Sequence, residues 1–172
     1  MSIRAAIRRR ISVRHYETKP VPEEMLQAVV SFAENSLALD DSIRIHLHLV
    51  REGRLVAHRM TPLTGTRLLF GSAPHFIIAT SEEKPLFMLN MGFRMEQMIL
   101  FATQQGLGTC WVGGMFSEER IGTFLSLEKG ERVIVLTPIG YPDTSFHGRL
   151  AHDAVELVAV NFGRRKALGQ MA

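Results

Sequence analysis

The chain has 172 residues, of which 46% are hydrophobic and 22% charged, so we expect one domain with a substantial buried core. The 20 Lys and Arg nearly balance the 17 Asp and Glu, and the resulting net charge of +3 argues against a nucleic-acid-binding protein. No apolar run approaches the roughly 20 residues that span a bilayer, the N-terminus lacks a secretory signal pattern, and the single cysteine fits a reducing cytoplasm.

The first predicted element is a short helix at the N-terminus. Ile3, Ala6, Ile7 and Ile11 recur at helical spacing and predict one apolar face. At about 100° per residue, Arg10 would project inside that face. Because a guanidinium against a core is costly without a partner, we expect an anion to meet Arg10.

A second helix is predicted after Pro22. Glu23 and Glu24 would lie in its first turn, where carboxylates complement the helix dipole. The apolar stripe that would face the core consists of Met25, Leu26, Val29, Val30 and Ala33.

Residues 43–49 alternate strictly between apolar and polar side chains, which predicts a half-exposed strand. Arg44, His46 and His48 would share its polar face. Two histidines on one face could hold a metal ion, but no third ligand is near in sequence, so a solvated strand face is the favoured interpretation.

The rest of the chain alternates loops, helices and strands without a regular βαβ pattern. The expected elements are loops around one short helix (51–74), an apolar strand (75–81), a long helix ending at Gly106 (85–106), a strand-like turn (108–114), a helix capped by Ser117 (117–127), a buried strand stopped by Pro142 (131–142) and a last strand (153–162). This mixture predicts a single α+β domain over residues 1–172.

Neither a P-loop nor a G-x-G-x-x-G dinucleotide motif occurs, and no Ser/His/Asp order indicates acyl transfer. Cys110 is interpreted as a small buried residue rather than a nucleophile. No catalytic side chain and no metal ligand are therefore predicted.

The segment after the first helix carries the clearest polar pattern. If the chain is extended there, Arg10, Ser12 and Arg14 point to one side and form a cluster of donors. Two guanidiniums and a hydroxyl suit a phosphate and polyol oxygens. The alternative, a solvated basic helix end, stays open.

The stretch "GLGTCWVGG" places four glycines around one tryptophan. Glycines let backbone amides approach a flat ligand closely, whereas the alternative is a tight strand entry with ordinary bends. By itself, this stretch favours the second interpretation.

Three stretches carry a resemblance to a known family. "RRRISVRHYETKPVPEEML" resembles the opening R-x-S-x-R-x-[FY] pattern of the FMN-dependent nitroreductases. The segment from "MGFRMEQMIL" through "GLGTCWVGG" to "GYP" is similar to that family's central helix, G-L-G-T-x-W turn and following strand, and "HGRLAHDAVELV" is similar to its C-terminal basic segment. The resemblance implies a nitroreductase-like α+β sandwich, with a mostly antiparallel or mixed sheet flanked by helices, that forms a homodimer through long helices with each flavin at the interface.

The resemblance also implies a set of FMN-binding residues. Arg10 and Ser12 would bind phosphate and ribityl oxygens, and Arg14 would face the flavin N1/O2 edge, where negative charge appears on reduction. The remaining implied contacts are Trp111, Val112, Gly113 and Gly114 along the isoalloxazine, through backbone groups, and Arg149 on the phosphate.

The implied activity is an oxidoreductase in which NAD(P)H reduces FMN and the flavin then reduces a small acceptor, a nitroaromatic or a quinone. One departure favours an alternative. Where the family usually shows a P-S-x-x-N-x-Q-P-W-like segment, this chain has "AENSLALDDSIRIHLHLV", and it is shorter than many members. The alternative is a nitroreductase-like domain that binds a flavin or another ligand without turnover.

Overall fold

The computed structural model describes residues 1–60, 70, 72–114, 116–123 and 125–143. The chain divides into two compact units, Met1–Pro142 and Asp143–Ala172, and every element described below belongs to the first. The single domain over residues 1–172 stays a prediction, and the strand expected at 153–162 lies outside the described residues.

Helices and strands alternate irregularly along the first unit, as the sequence predicts. The helices are α1 (Ile3–Arg9), α2 (Glu23–Glu34), α3 (Gly53–Arg59), α4 (Phe87–Gln104) and α5 (Glu118–Gly122). The strands are β1 (Ile45–Val50), β2 (His75–Glu82), β3 (Gly108–Thr109) and β4 (Glu131–Gly140).

The four strands form one sheet in the order β1-β2-β4-β3, and each neighbouring pair is antiparallel. Ile45 pairs with Ser81 at one end of the β1–β2 ladder and Val50 with Phe76 at the other. The β2–β4 register shifts between Ala79 and Thr80, which marks an irregularity in that ladder. β3 contributes only two residues to this sheet.

Apolar side chains cover both faces of the sheet. One core joins α2 and α4 to the sheet through Leu26, Val29, Val30, Ala33, Met91, Met95, Met98, Ile99, Ala102, Ile77, Ala79, Val135 and Ile139. The other lies with α3 and α5 and includes Val56, Met60, Phe76, Ile78, Val112, Ile121, Val133 and Leu136. A sheet with helices on both faces is the α+β sandwich that the sequence predicts.

Two helix predictions are confirmed, one of them with its core face. In α2, Leu26, Val29, Val30 and Ala33 are buried as predicted, and Met25, the fifth residue of the predicted stripe, is half-buried. The long helix α4 ends at its C-cap Gln105, and the following Gly106 has a φ of +80°, a conformation that glycine adopts without strain.

The prediction of an apolar core face on α1 is wrong. Ala6 is fully buried, but Ile3, Ile7 and Ile11 are each about half exposed. The helix ends at Arg9, so Arg10 leaves it as the C-cap and does not project inside a helical face. Helical spacing shows which side chains share a face, and it does not show what covers that face.

Among the described helices, none is both long and apolar enough to cross a membrane.

Candidate active site

The segment that follows α1 lies alongside β3. Arg10 closes the helix by donating its N–H to Ala6 O at 2.8 Å, and its ψ of 121° turns the chain into an extended course. Ser12 then pairs with Thr109 in a parallel bridge, and the N–H of Val13 donates to Thr109 O at 2.8 Å. The two stretches singled out by the sequence are therefore adjacent, although about 100 residues separate them in the chain.

A glycine allows this close approach. A Cβ on Gly108 would lie 2.7 Å from Val13 Cγ2, nearer than side-chain atoms pack. Since Val13 is 2% exposed, it has little room to move away. Gly108 is thus required for packing here, in addition to any conformational freedom it provides.

Tyr16 anchors the other end of the segment. Its hydroxyl donates to Val13 O at 2.6 Å and lies 3.3 Å from Pro138 O, while Glu17 N–H donates to Tyr141 O at 2.9 Å. Burial raises the pKa of Tyr16 well above its usual value, so the phenol stays protonated and keeps donating. Residues 12–17 are consequently fixed against both β3 and the end of β4.

Glu96 on α4 joins Arg10 to Trp111. Its Oε2 accepts a hydrogen bond from Trp111 Nε1 at 3.1 Å, and its Oε1 lies 3.7 Å from Arg10 Nε. The sequence interpretation missed this residue. The signal available was that Glu96 is the single carboxylate in the otherwise largely apolar α4.

Arg10, Ser12 and Arg14 also lie around the thiol of Cys110. Burial raises the pKa of this thiol, and the charge of Arg14, a hydrogen bond from Ser12 and the charge of Arg10 offset part of that effect. Arg10 and Ser12 are half-buried and Arg14 is exposed. Cys110 itself is buried and its thiol is protonated, in agreement with its interpretation as a packing residue rather than a nucleophile.

In the turn after β3, one residue has its backbone groups hydrogen-bonded within the protein, and two glycines are exposed. Val112 exchanges two hydrogen bonds with Leu136, at 3.0 and 2.9 Å, so its N–H is already used within the protein. Gly113 and Gly114 are exposed, and a Cβ built on either would meet nothing within 4 Å. The open space beside these two glycines is where a flat ligand could approach the chain.

The structure thus brings together Arg10, Ser12, Arg14 and the turn at 111–114, which are seven of the eight predicted site residues. The eighth, Arg149, lies outside the described residues. Together, the guanidiniums and the hydroxyl supply donors for an oxygen-rich anion, and the half-buried indole and the open glycines supply a flat, partly apolar wall. This donor set and this wall fit a phosphorylated aromatic ligand such as FMN.

The two histidines of β1 lie on a half-exposed strand, as the sequence predicts, and each also has a partner within the protein. His46 Nδ1 lies 2.8 Å from Glu131 Oε1, and His48 Nε2 lies 3.0 Å from Thr80 Oγ1. The Thr80 hydroxyl in turn donates to Glu131. Within the residues that the structure describes, no group of three or more His, Cys, Asp or Glu side chains could hold a metal ion.

Comparisons with known proteins identify the family and the fold. A family model described as "Putative TM nitroreductase" matches residues 2–165. A protein of Methanothermobacter thermautotrophicus named "Putative NADH dehydrogenase/NAD(P)H nitroreductase" is 27% identical over 150 residues, which cover 83% of this chain and 78% of that protein.

Two solved structures share the fold. A nitroreductase family protein from Clostridium novyi NT superposes with a TM-score of 0.72 at 23% identity, covering 84% of this chain and 87% of that one. A nitroreductase with bound FMN from Bacteroides fragilis gives a TM-score of 0.65 at 20% identity, covering 84% of this chain and 90% of that one.

Proposed function

The chain belongs to the nitroreductase family whose model matches residues 2–165, and on that premise we propose that it is a flavin-dependent oxidoreductase. NAD(P)H would reduce bound FMN, and the flavin would then reduce a nitroaromatic or a quinone. The observation that carries this proposal is the link through Glu96, which joins the arginine segment and the tryptophan turn in one site.

FMN would supply the hydride chemistry when bound, and the protein would supply position and charge. Arg10 and Ser12 would hold phosphate and ribityl oxygens, with Arg149 added by family resemblance. Arg14, which is exposed, would face the N1/O2 edge and stabilise the negative charge that reduction places there. Because Val112 N–H donates to Leu136 O, we assign the backbone contacts of this turn with the flavin to its other residues. Val112 would fix the turn to β4.

We also propose that the protein works as a homodimer in the cytoplasm. On α1, Ile3, Ile7 and Ile11 are about half exposed, and the start of α4 exposes Leu86, Met88, Leu89 and Phe93. Apolar side chains grouped on helices in this way are typical of a surface that another subunit covers. The cytoplasmic location is supported by the single free cysteine, a pattern typical of proteins in reducing compartments.

The proposal is tested by flavin binding and turnover. Protein incubated with FMN and desalted should retain the visible flavin spectrum, and it should oxidise NADH or NADPH with menadione as the acceptor. Arg14→Gln should lower the turnover rate by about tenfold or more, since it removes a charge-assisted contact to the reacting ring. Arg8→Gln, which changes an exposed arginine of α1, serves as the matched control and should leave the rate within about twofold.

A colourless desalted protein that shows no change in flavin fluorescence on titration would overturn the proposal. An equal rate in the Arg14→Gln variant and the unchanged protein would overturn the role assigned to Arg14.

One observation favours a second candidate, a domain that binds flavin without turnover. The segment standing in place of the P-S-x-x-N-x-Q-P-W-like segment exposes Leu37 and Leu39. Its backbone is tied to α4, where Asn90 Oδ1 accepts from Leu39 N–H at 2.8 Å and Gln97 Nε2 donates to Leu37 O at 2.8 Å. Retained FMN without oxidation of NADH or NADPH would select this candidate.

A further inference from the structure

Arg10 already has an anionic partner inside the protein. Its side chain is 16% exposed, and a guanidinium so far removed from water needs a negative charge nearby. Glu96 supplies one at 3.7 Å, a distance at which the charges attract each other but no close hydrogen bond forms. The anion that the sequence analysis expects at Arg10 is therefore present, and it is held loosely.

The carboxylate of Glu96 is held in place from its other side. Trp111 Nε1 donates to Oε2 at 3.1 Å, so the indole fixes one oxygen while the other faces Arg10. The Glu96 side chain is 42% exposed, so it could turn toward water at little cost if Arg10 found another partner. A guanidinium has five donors, and contact through Nε leaves the two terminal nitrogens available for a bidentate anion.

We propose that Glu96 is a resident counter-ion that holds Arg10 in the site and gives up that role when a phosphate ester binds. This proposal rests on the proposed function in one respect, since the phosphate ester would be that of FMN. In the free protein, Glu96 keeps a buried cation neutralised and positioned. Toward an incoming phosphate, the same carboxylate is a competing negative charge, so it limits the affinity of the site.

Glu96→Gln is the informative variant. Glutamine has the same shape and can still accept from Trp111, but it carries no charge to oppose a phosphate. We expect the variant to bind FMN about fivefold more tightly, a change of the size that one partly exposed ion pair produces. Riboflavin, which has the same ring without the phosphate, should bind equally to both proteins. The readout is quenching of Trp111 fluorescence, since Trp111 is the single tryptophan of the chain.

Two controls identify the cause. Glu34→Gln removes the same charge from the exposed end of α2 and should change FMN affinity by less than about twofold. In an Arg10→Gln background, adding Glu96→Gln should have no further effect, because the cation that both anions share is gone. If Glu96→Gln fails to fold, Glu96→Asp, which draws the carboxylate back from Arg10, should also tighten FMN binding.

The outcomes separate this inference from the proposed function. Equal FMN affinity with and without Glu96→Gln, weaker binding in the variant, or an equal gain for riboflavin would each overturn it while leaving flavin binding intact. If neither protein binds FMN or riboflavin, the proposed function fails. Inorganic phosphate then decides the inference: tighter binding by Glu96→Gln supports it, and equal or absent binding overturns it.

Discussion

Two carboxylates, Glu131 on β4 and Glu96 on α4, are held in very different ways. Glu131, at the start of β4, has a side chain that is 5% exposed and accepts from His46, from the Thr80 hydroxyl and from the N–H of Glu128. Glu96 is 42% exposed, with one hydrogen bond to Trp111 and one ion pair of 3.7 Å to Arg10. The first carboxylate is saturated with donors, whereas the second still has capacity for other partners.

The arginines repeat this contrast. Arg132 contacts two carboxylates, with Nη1 3.0 Å from Glu83 and Nη2 2.8 Å from Glu118, and these partners raise its pKa beyond its ordinary value. Arg10 has one partner, and at a longer distance. Charged groups whose hydrogen-bonding capacity is filled by protein partners stabilise the fold. A ligand site requires charged groups that are incompletely paired and lie beside open space. This is the physical reason for placing function at Arg10 rather than at the histidine and glutamate cluster of β1 and β4.

The largest expected effect is on stability and compares the removal of Glu131 with the removal of Glu96. Glu131→Leu should lower the free energy of unfolding by about 3 kcal/mol, because it leaves the buried Thr80 hydroxyl and the Glu128 N–H without their acceptor. Glu96→Leu should cost about 1 kcal/mol or less, since a half-exposed site lets water replace the lost contacts. Urea denaturation measures both values. Equal losses in the two variants would show that the two carboxylates do not differ in kind.

The same contrast explains what the sequence could predict. The stripe of α2 and the apolar strands β2 and β4 follow from periodicity, which depends only on neighbours a few residues apart. Glu131 and His46 are 85 residues apart, and Arg10 and Glu96 are 86 residues apart, so no local pattern indicates that they meet. Arg10, Ser12 and Arg14 were identifiable as candidate site residues because their alternation is local. Their partner was not, because it depends on how α4 packs.

The next effect concerns the packing of Val13 on Gly108, where the segment after α1 meets β3. Gly108→Ala should lower the free energy of unfolding by about 2 kcal/mol, because the added methyl group overlaps Val13, which is buried. The displaced segment should also change the fluorescence of Trp111. Gly92→Ala is the control, since a Cβ there meets nothing within 4 Å and the position is inside α4. The free energy of unfolding of this variant should rise by about 0.5–1 kcal/mol because alanine has a higher helix propensity than glycine.

If Gly108→Ala were as stable as the unchanged protein, Val13 would not be pressed against β3. The Arg10 and Trp111 stretches would then be joined by Glu96 and by the backbone hydrogen bond from Val13 to Thr109, without close side-chain packing.

The smallest effect is a pH dependence of stability. It arises in the hydrogen-bonded cluster of His46, His48, Thr80 and Glu131 and not in the candidate site. Burial lowers the pKa of His48, although the charge of Glu131 opposes this shift and His46 adds slightly to it. The unfolded chain, with a histidine pKa of about 6.5, therefore takes up a proton at this position before the folded protein does. The contribution of His48 to stability is complete above that pH and declines as the pH falls toward its lowered folded pKa.

His48→Gln should make the melting temperature less sensitive to acidification from about pH 7.5 to pH 5, the range that brackets the unfolded histidine pKa. Carboxylates with lowered pKa values, Glu131 among them, lose their contribution only below about pH 4.3, so they do not confuse the measurement. An unchanged pH slope in His48→Gln would mean that the pKa of His48 is the same in the folded protein as in the unfolded chain. His48 would then no longer support the contrast between the hydrogen-bonded cluster of β1 and β4 and the incompletely paired site at Arg10.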